Sequence, residues 1–347
     1  MLSTRWPALS RRHFLYGAAA MAATPAHALK PYPVFGHVER LDPALDALVD
    51  ANAPVEEVMN GFQWSEGPVW VGDADGMLLV SDPQANMIRS FREGAGDAIW
   101  LKPSGYAGTD LARYREPGSN GLVVGRGGLL VADSGNRRIT RIDLASKAKT
   151  VVADRFEGKR FNSPNDLCVS PRDGSIYFTD PPYGLAGVTK SPDREMDYAG
   201  VFRVAPDGAV SLIGKYAMPN GIGISPDGGT LYHTDRQIGW VAHRLDAEGR
   251  SIAERPFIDL ASERMSPTGD GMKVDRDGHL WASNQDGINI ISPAGKRLGI
   301  IRAMDTLSNC EFGADGHLYM TTNHRVTRVR VNARKLLIAP SVRDRAR

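Results

Sequence analysis

The sequence predicts an all-β fold, a six-bladed β-propeller with four-stranded blades. Six stretches of the 347-residue chain resemble one another, five of them contain an Asp-Gly dipeptide between two apolar runs, and Gly and Pro are abundant, at 37 and 22 residues. Asp-Gly between β-branched and aromatic residues is typical of a β-hairpin, and frequent Gly and Pro favour many short strands. A β-sandwich or a seven-bladed ring is the alternative architecture.

Each repeated stretch has a polar residue, an apolar strand, a turn and a second apolar strand. The stretches are SEGPVWVGDADGMLLVSD, SNGLVVGRGGLLVAD, PNDLCVSPRDGSIYFTD, PNGIGISPDGGTLYHTD, GDGMKVDRDGHLWASN and SNCEFGADGHLYMTTN. We call their leading polar residues the ring residues: Glu66, Asn120, Asn165, Asn220, Asp270 and Asn309. Their intervals of 39 to 55 residues suit one four-stranded propeller blade, which takes about 40–50 residues.

Further strands are predicted between the hairpins. MIRSFRE, RITRIDL, VFRVA, WVAHRLD, INIIS and VTRVRV each follow a hairpin and would form the third strand of a blade. Segment 50–62 would supply a strand that completes the last blade. The only helical expectation is a turn or two at LDPALDALVD.

The first 28 residues are predicted to be a twin-arginine signal peptide, which leaves 29–347 as the propeller domain. Arg11 and Arg12 lie in SRRHFL, an apolar run of about 10 residues follows, and Ala26-His27-Ala28 matches a small-x-small cleavage site. A membrane anchor is the alternative, but a span takes about 20 apolar residues. We therefore expect no stable membrane insertion, transport by the twin-arginine machinery, and a periplasmic or secreted protein.

Composition excludes nucleic acid as an expected partner. The chain has 42 Lys and Arg against 40 Asp and Glu, and three of the basic residues lie in the export segment, so the rest carries a formal net charge of −1. The two cysteines, Cys168 and Cys310, are predicted to be either oxidised after export or two buried free thiols. No CxxC motif or His/Cys cluster suggests zinc or redox chemistry.

The ring residues predict a metal site. In a propeller, equivalent positions of all blades converge on one end of the central channel, so the ring residues should meet there. Glu66 and Asp270 would supply two negative charges, and Asn165 and Asn220 would supply amide oxygens. Such hard ligands suit one divalent cation, with Ca²⁺ expected first and Mg²⁺, Mn²⁺ or Zn²⁺ as alternatives. Asn120 and Asn309 would line the pocket or only cap strands, since Asn is also a common turn residue.

A second polar set closes the second strand of each repeat. We call these the strand-end residues: Asp82, Asp133, Asp180, Asp235, Asn284 and Asn323. A hairpin of this length returns to the end where it began, so they should lie near the ring residues. The expected role is to make turns and to support the site by hydrogen bonds, rather than to bind metal directly.

Several of these motifs together resemble the SMP-30/gluconolactonase family of six-bladed propellers. The matching stretches are EGPVW, RFNSPNDL, YFTDPPYG, MPNGIGISPDG and GDGMKVDRDGHLW, over roughly residues 40–330, and EPGSNGL and GNRRITR are similar to the bacterial gluconolactonase branch. The resemblance implies one divalent cation held by a Glu, two Asn and an Asp. These map to Glu66, Asn165, Asn220 and Asp270, which agrees with the set obtained from the repeats.

The resemblance also implies lactone hydrolysis, with a small-molecule lactone as the partner. Asp166 sometimes has an acidic counterpart in relatives, and we include it with Asn120 and His324 as expected substrate contacts. Some relatives carry an Arg where this chain has Ser163, so substrate contacts do not transfer in full.

The implied chemistry is polarisation of a lactone carbonyl by the cation, with Asp270 as the candidate general base. No G-x-S-x-G motif or Ser/His/Asp constellation offers a nucleophile. His233 and His324 could shuttle protons, although a structural role is more common for such residues. The alternatives are a related metal-dependent esterase or phosphotriesterase, or a non-catalytic propeller that binds a ligand or a protein.

Overall fold

Short antiparallel strands form almost all of the regular structure. The computed structural model of the chain describes residues 31–332. Within that range the helical segments are short 3₁₀ turns at Pro43–Ala47, Leu111–Arg113, Ser134–Asn136, Pro182–Gly184 and Val188–Lys190. The first lies where the sequence predicted a helical turn. The predicted export segment, residues 1–28, lies outside the described residues. In residues 31–332, no helix has the length and apolar character to cross a membrane.

The described part of the chain starts with β1 (Val34–Arg40) and β2 (Val55–Asn60) and then forms four separate four-stranded sheets. The first contains β3 (Glu66–Val71), β4 (Met77–Asp82), β5 (Met87–Arg92) and β6 (Gly96–Leu101). The second contains β7 (Leu122–Gly125), β8 (Gly128–Asp133), β9 (Arg138–Ile142) and β10 (Lys149–Ala153), and a small hairpin follows, β11 (Arg155–Phe156) and β12 (Lys159–Arg160). The third contains β13 (Leu167–Val169), β14 (Ile176–Asp180), β15 (Ala199–Val204) and β16 (Val210–Tyr216), and the fourth contains β17 (Pro219–Ile224), β18 (Thr230–Asp235), β19 (Gly239–Leu245) and β20 (Ser251–Pro256).

The remaining strands belong to one nine-stranded sheet. They are β21 (Gly269–Val274), β22 (Leu280–Asn284), β23 (Gly287–Ile291), β24 (Arg297–Ala303), β25 (Leu307–Phe312), β26 (His317–Thr322) and β27 (Arg325–Arg330). The order in the sheet is β21-β22-β23-β24-β1-β2-β27-β26-β25. β1 therefore joins two four-stranded groups, because it pairs with β24 on one side and with β2 on the other. The predicted strand in segment 50–62 is confirmed as β2, which pairs with β27.

The first strands of successive groups contact one another in a closed ring. β3 contacts β7, β7 contacts β13, β13 contacts β17, β17 contacts β21, β21 contacts β25, and β25 returns to β3. Every predicted third strand is confirmed, as β5, β9, β15, β19, β23 and β27. The architecture is all-β and propeller-like, as the repeats predicted.

Apolar side chains hold neighbouring groups together. Val69 and Leu79 of the first sheet pack against Leu122 and Val131 of the second, and comparable clusters lie between the later pairs. A cluster that includes Met59, Leu78 and Val326 joins the last strands to the first sheet. Because this burial of apolar area is the main stabilising contribution, it fixes each sheet relative to the next.

Glycines at the predicted turns adopt the backbone conformation that a hairpin needs. Gly174 and Gly278 follow Asp and have φ of +79° and +84°, in the left-handed region that other residues enter at a cost.

Cys168 and Cys310 are both free thiols, and Cys310 is buried. Of the two states predicted for the cysteines, the structure therefore has the free one.

Candidate active site

The ring residues stand at equivalent points of the first strands. Glu66, Asn220, Asp270 and Asn309 lie at or near the beginnings of β3, β17, β21 and β25, and Asn120 and Asn165 lie two residues before β7 and β13. The contacts between first strands therefore bring successive ring residues next to one another.

Glycines allow this close approach on one side of the ring. A β-carbon at Gly67 would lie 2.0 Å from the carbonyl oxygen of Asn120, and one at Gly121 would lie 2.6 Å from Oδ1 of Asp166. The Gly121 amide also donates to the Asn165 carbonyl oxygen at 2.7 Å. The glycine after a ring residue is therefore required by the neighbouring strand, and it is not only a turn former.

The same packing continues around the other side and closes. A β-carbon at Gly221 would lie 2.0 Å from the Asp270 carbonyl oxygen, and one at Gly271 would lie 2.0 Å from Cγ of Asn309. Nδ2 of Asn309 then donates to Oε2 of Glu66 at 3.3 Å. The chain thus returns from the last ring residue to the first.

Hydroxyl groups tie adjacent strands together beneath the ring. Thr179 donates to the Asn220 carbonyl oxygen at 2.5 Å, and Thr234 donates to the Asp270 carbonyl oxygen at 3.2 Å. Ser283 donates in the same way to the carbonyl oxygen of Ser308, at 2.6 Å. Each of these hydroxyls immediately precedes a strand-end residue, a regularity that the sequence analysis missed.

Glu66 stands in an apolar run of the sequence, GFQWSEGPVW, and its carboxylate is buried near other carboxylates. Its residue is 4% exposed. The pKa of Glu66 is raised to about 7, mainly by burial and also by the charges of Asp166 and Glu116, while hydrogen bonds from Gly67 and Asn309 oppose the rise.

Asp270 faces the same carboxylates. Burial raises the pKa of Asp270 well above its usual range, and the charges of Glu66, Asp166 and Glu116 add to the rise. Asp166 itself is buried and accepts a hydrogen bond from Nδ2 of Asn309 at 3.3 Å. Negative charge is therefore concentrated at one place, where a cation would relieve the repulsion.

The donor set fits a hard cation better than a soft one. Among residues 31–332, no group of three or more His, Cys, Asp or Glu side chains is arranged to hold a metal ion. A site at the ring would therefore need amide oxygens beside the carboxylates of Glu66 and Asp270. Asn165 and Asn220, the two ring positions that precede Asp270, carry such oxygens, which are ligands typical of Ca²⁺.

Two residues of the same region were missed by sequence reasoning, Glu116 and Tyr183. Glu116 is 6% exposed and precedes β7, and Tyr183 lies in the 3₁₀ turn Pro182–Gly184. Burial raises the pKa of Tyr183 to about 12, with the charges of Asp270 and Glu116 among the further causes. Both residues lie in stretches that were quoted only for their resemblance, EPGSNGL and YFTDPPYG.

The two histidines named from the sequence have structural partners. His324 is exposed, and its Nδ1 donates to the Phe62 carbonyl oxygen at 3.0 Å. His233 is fully buried and forms a hydrogen bond with His243 at 3.2 Å. Asn120, by contrast, is buried within the ring and its side chain hydrogen bonds to Glu116.

The strand-end residues hold the segments that lead into the ring. Oδ2 of Asp235 accepts from the Met218 amide at 2.8 Å. Oδ2 of Asp82 accepts from the Gln63 amide at 2.9 Å. Both amides lie two or three residues before a ring residue, so the expected turn-making and supporting role is confirmed for these carboxylates.

Comparison with known proteins places the chain among sugar-lactone hydrolases and their relatives. Residues 64–324 match the model of the SMP-30/Gluconolactonase/LRE-like region. A gluconolactonase from Zymomonas mobilis subsp. mobilis is 44% identical over 309 residues, which are 85% of this chain and 86% of that protein. Residues 64–324, the region that matches the family model, contain all the ring residues.

Solved structures agree with the fold. A gluconolactonase from Xanthomonas campestris has a TM-score of 0.73 at 30% identity, over 88% of this chain and 99% of that chain. The calcium-binding protein regucalcin from Agrobacterium tumefaciens has a TM-score of 0.59 at 18% identity, over 80% of this chain and 94% of that one. The second likeness concerns the fold alone.

Proposed function

Because the chain belongs to the SMP-30/gluconolactonase/LRE-like family, we propose that it hydrolyses a sugar lactone, a gluconolactone or a close relative, to the aldonic acid. The observation that carries the proposal is the closed ring, in which Glu66 is buried, Asp270 is half-buried, and the charge of Glu66 raises the pKa of Asp270. Such a concentration of carboxylates suits a divalent cation and an electrophilic substrate.

We propose that the propeller has six blades. The nine-stranded sheet then counts as two four-stranded blades, β21 to β24 and β25 to β27 with β2, joined by β1. The closed circuit of first strands supports this count, because β25 contacts β3.

The proposed cation ligands are Glu66, Asn165, Asn220 and Asp270. We expect Ca²⁺, since all four offer oxygen and two are carboxylates. In this proposal the donors come from four separate strands or strand leads, which hold side chains more firmly than a flexible loop does.

Asp270 is the proposed general base. When bound, the cation would act as a Lewis acid that stabilises the negative charge developing on the lactone carbonyl oxygen. The Asp270 carboxylate accepts a proton from the attacking water as the water oxygen bonds to the carbonyl carbon. The ring ester bond then breaks, and its oxygen leaves as a hydroxyl by taking up the proton that Asp270 received, which restores the carboxylate. A carboxylate that ligates a divalent cation is a weaker base than a free one, and burial and the charge of Glu66, which raise the pKa of Asp270, oppose that weakening.

Substitution of the base tests this mechanism. Asp270→Asn should lower kcat/KM for glucono-1,5-lactone by about 10²–10⁴-fold, because the amide cannot accept the proton. The variant should keep the wild-type unfolding midpoint and most of its calcium affinity, since the amide oxygen can still ligate. The measurements are pH-stat titration of acid release, thermal unfolding and calcium calorimetry.

The same assay separates the alternatives. Chelation should abolish wild-type turnover, and added Ca²⁺ should restore it. Full activity in Asp270→Asn, or turnover that is unaffected by a chelator, would refute the assigned role or the metal dependence. Hydrolysis of aryl esters or phosphotriesters without lactone turnover would point to the other metal-dependent hydrolases, and calcium binding without any hydrolysis would point to a binding protein.

We further propose that residues 1–28 direct the precursor to the twin-arginine machinery and that the mature enzyme acts in the periplasm. The support is the pattern of Arg11 and Arg12 followed by a short apolar run and Ala26-His27-Ala28. N-terminal sequencing of protein recovered from the periplasm should begin at Leu29. Recovery of an uncleaved chain in the cytoplasm alone would contradict this.

A further inference from the structure

Glu116 lies in a wall built from two loops beside the ring. The main-chain amides of Arg115 and Glu116 donate to the Gly184 carbonyl oxygen at 2.9 and 3.2 Å. An isolated β-bridge between Tyr114 and Leu185 extends the same contact. The segment before β7 is thus fixed against the 3₁₀ turn that carries Tyr183.

This wall adjoins the proposed cation ligands. The Asn120 side chain hydrogen bonds to Glu116, and the Asn120 carbonyl oxygen lies against Gly67, the residue after Glu66. The charge of Glu116 also raises the pKa of both Glu66 and Asp270, and it contributes to the raised pKa of Tyr183. The carboxylate therefore lies on the side of its loop that faces the ring.

The charge of Glu116 is only weakly compensated by the protein. Its carboxylate is buried, while the nearest guanidinium nitrogen, of Arg115, is 3.8 Å away on a side chain that is 51% exposed. Burial raises the pKa of Glu116, with Arg115 and Asn120 opposing the rise. A carboxylate can accept about four hydrogen bonds, so Glu116 retains acceptor capacity beyond the Asn120 amide. Burying such a group is costly unless donors are supplied.

We infer that Glu116 is a specificity-determining residue, which accepts hydrogen bonds from the hydroxyl groups of a polyhydroxylated lactone while the ester carbonyl lies at the ring. The inference rests on the proposed lactonase function and names the substrate class within it. A sugar lactone carries hydroxyls beside its carbonyl that can donate to a carboxylate. An unsubstituted aliphatic lactone supplies no donors for the acceptor capacity that Glu116 retains beyond the Asn120 amide, and a site with buried polar groups discriminates strongly against such a substrate.

Glu116 differs from the ring residues in the role that its position allows. It precedes β7 by six residues and reaches the ring from outside through Asn120, whereas Glu66 and Asp270 belong to the first strands themselves. We therefore expect its loss to change the choice of substrate and not the affinity for the cation.

The test compares a hydroxylated lactone with a plain one in Glu116→Gln. We expect the ratio of kcat/KM for glucono-1,5-lactone to kcat/KM for δ-valerolactone to fall about 10- to 100-fold, mainly through KM for the sugar lactone, because a hydrogen bond to a charged group is lost. The matched control is Glu248→Gln, an exposed carboxylate on the β19–β20 turn, which should keep the wild-type ratio.

Binding without turnover supplies a second readout. Calorimetry in the presence of Ca²⁺ measures the affinity for the lactam analogue of gluconolactone. This lactam should bind Glu116→Gln about 10- to 100-fold more weakly than wild type. Unsubstituted δ-valerolactam should bind the two proteins with similar affinity. Calcium affinity should be that of wild type, and the unfolding midpoint should be equal or higher because a buried charge has been removed.

The outcomes separate this inference from the proposed function. A wild-type ratio in Glu116→Gln, equal losses for both lactones, or a loss of calcium affinity would overturn the role of Glu116 while leaving lactone hydrolysis intact. Failure of the wild-type protein to hydrolyse either lactone would instead refute the proposed function, and the inference with it.

Discussion

Two sets of acidic and amide side chains lie at the same end of the sheets, and their surroundings differ. The ring residues begin the first strands, and the strand-end residues close the second strands, which run antiparallel to the first. Asp235 is fully buried, and its carboxylate accepts from the amides of Met218, Gln237 and Ile238. Asp270 is half-buried beside other carboxylates, which raise its pKa.

The difference distinguishes a supporting role from a reactive one. Backbone amides satisfy the Asp235 carboxylate and make it part of the frame. Asp270 faces Glu66 and Asp166 and gains most from an external cation or proton. Asp180 departs from this division, because burial raises its pKa to about 7 even though Asn162 donates to it. A raised pKa therefore identifies a functional carboxylate only together with its position.

Substitution of a glycine that follows a ring residue should have the largest effect, because this glycine lies directly against the neighbouring first strand. Gly221→Ala would place its β-carbon 2.0 Å from the Asp270 carbonyl oxygen, and backbone must move to accept it. We expect a loss of about 3 kcal/mol in the free energy of unfolding, with reduced calcium affinity. Denaturant unfolding and calcium calorimetry measure both.

Gly223→Ala, two residues along the same strand, is the matched control. Its β-carbon would meet side-chain atoms of Val274 and Met272 at 3.2 and 3.3 Å, which can shift. The cost should be about 1 kcal/mol or less. Equal costs at the two positions would mean that the ring glycines are not placed by the neighbouring strand.

Removing a supporting carboxylate should have a smaller effect, and one of a different kind. Asp235→Asn keeps only one acceptor oxygen, so either the Met218 amide or the amides of Gln237 and Ile238 lose their acceptor, and we expect a loss of about 1–3 kcal/mol in stability. Because the variant keeps the ring carboxylates, kcat/KM for the lactone should fall by less than about tenfold, against the 10²–10⁴-fold expected for Asp270→Asn. Denaturant titration and the pH-stat assay check this, and a collapse of activity with unchanged stability would erase the distinction between the two sets.

The repeat made the ring predictable from sequence. Glu66, Asn220 and Asp270 begin equivalent strands, and a fold that repeats one unit around an axis brings equivalent positions together. The same regularity predicted the third strands and the strand in segment 50–62. The nine-stranded sheet was not predicted, because β1 pairs with β24, which is more than 250 residues away in the sequence, and no local pattern encodes such a pairing.

Residues outside the repeat could not be located in the same way. Glu116 and Tyr183 lie in loops of unequal length, and only the three-dimensional contact of those loops at Gly184 brings the residues to the ring. His324 was chosen for its position at a strand end, and the structure adds that Nδ1 of its exposed imidazole donates to the Phe62 carbonyl oxygen. Sequence position alone does not report what a side chain already binds.

A crystal structure of the protein grown with Ca²⁺ tests the central claim most directly. The account predicts one ion with oxygen atoms of Glu66, Asn165, Asn220 and Asp270 at about 2.3–2.6 Å, the distances typical of calcium. An ion bound elsewhere with these oxygens too far apart to share it, or no ion at saturating Ca²⁺, would contradict the account.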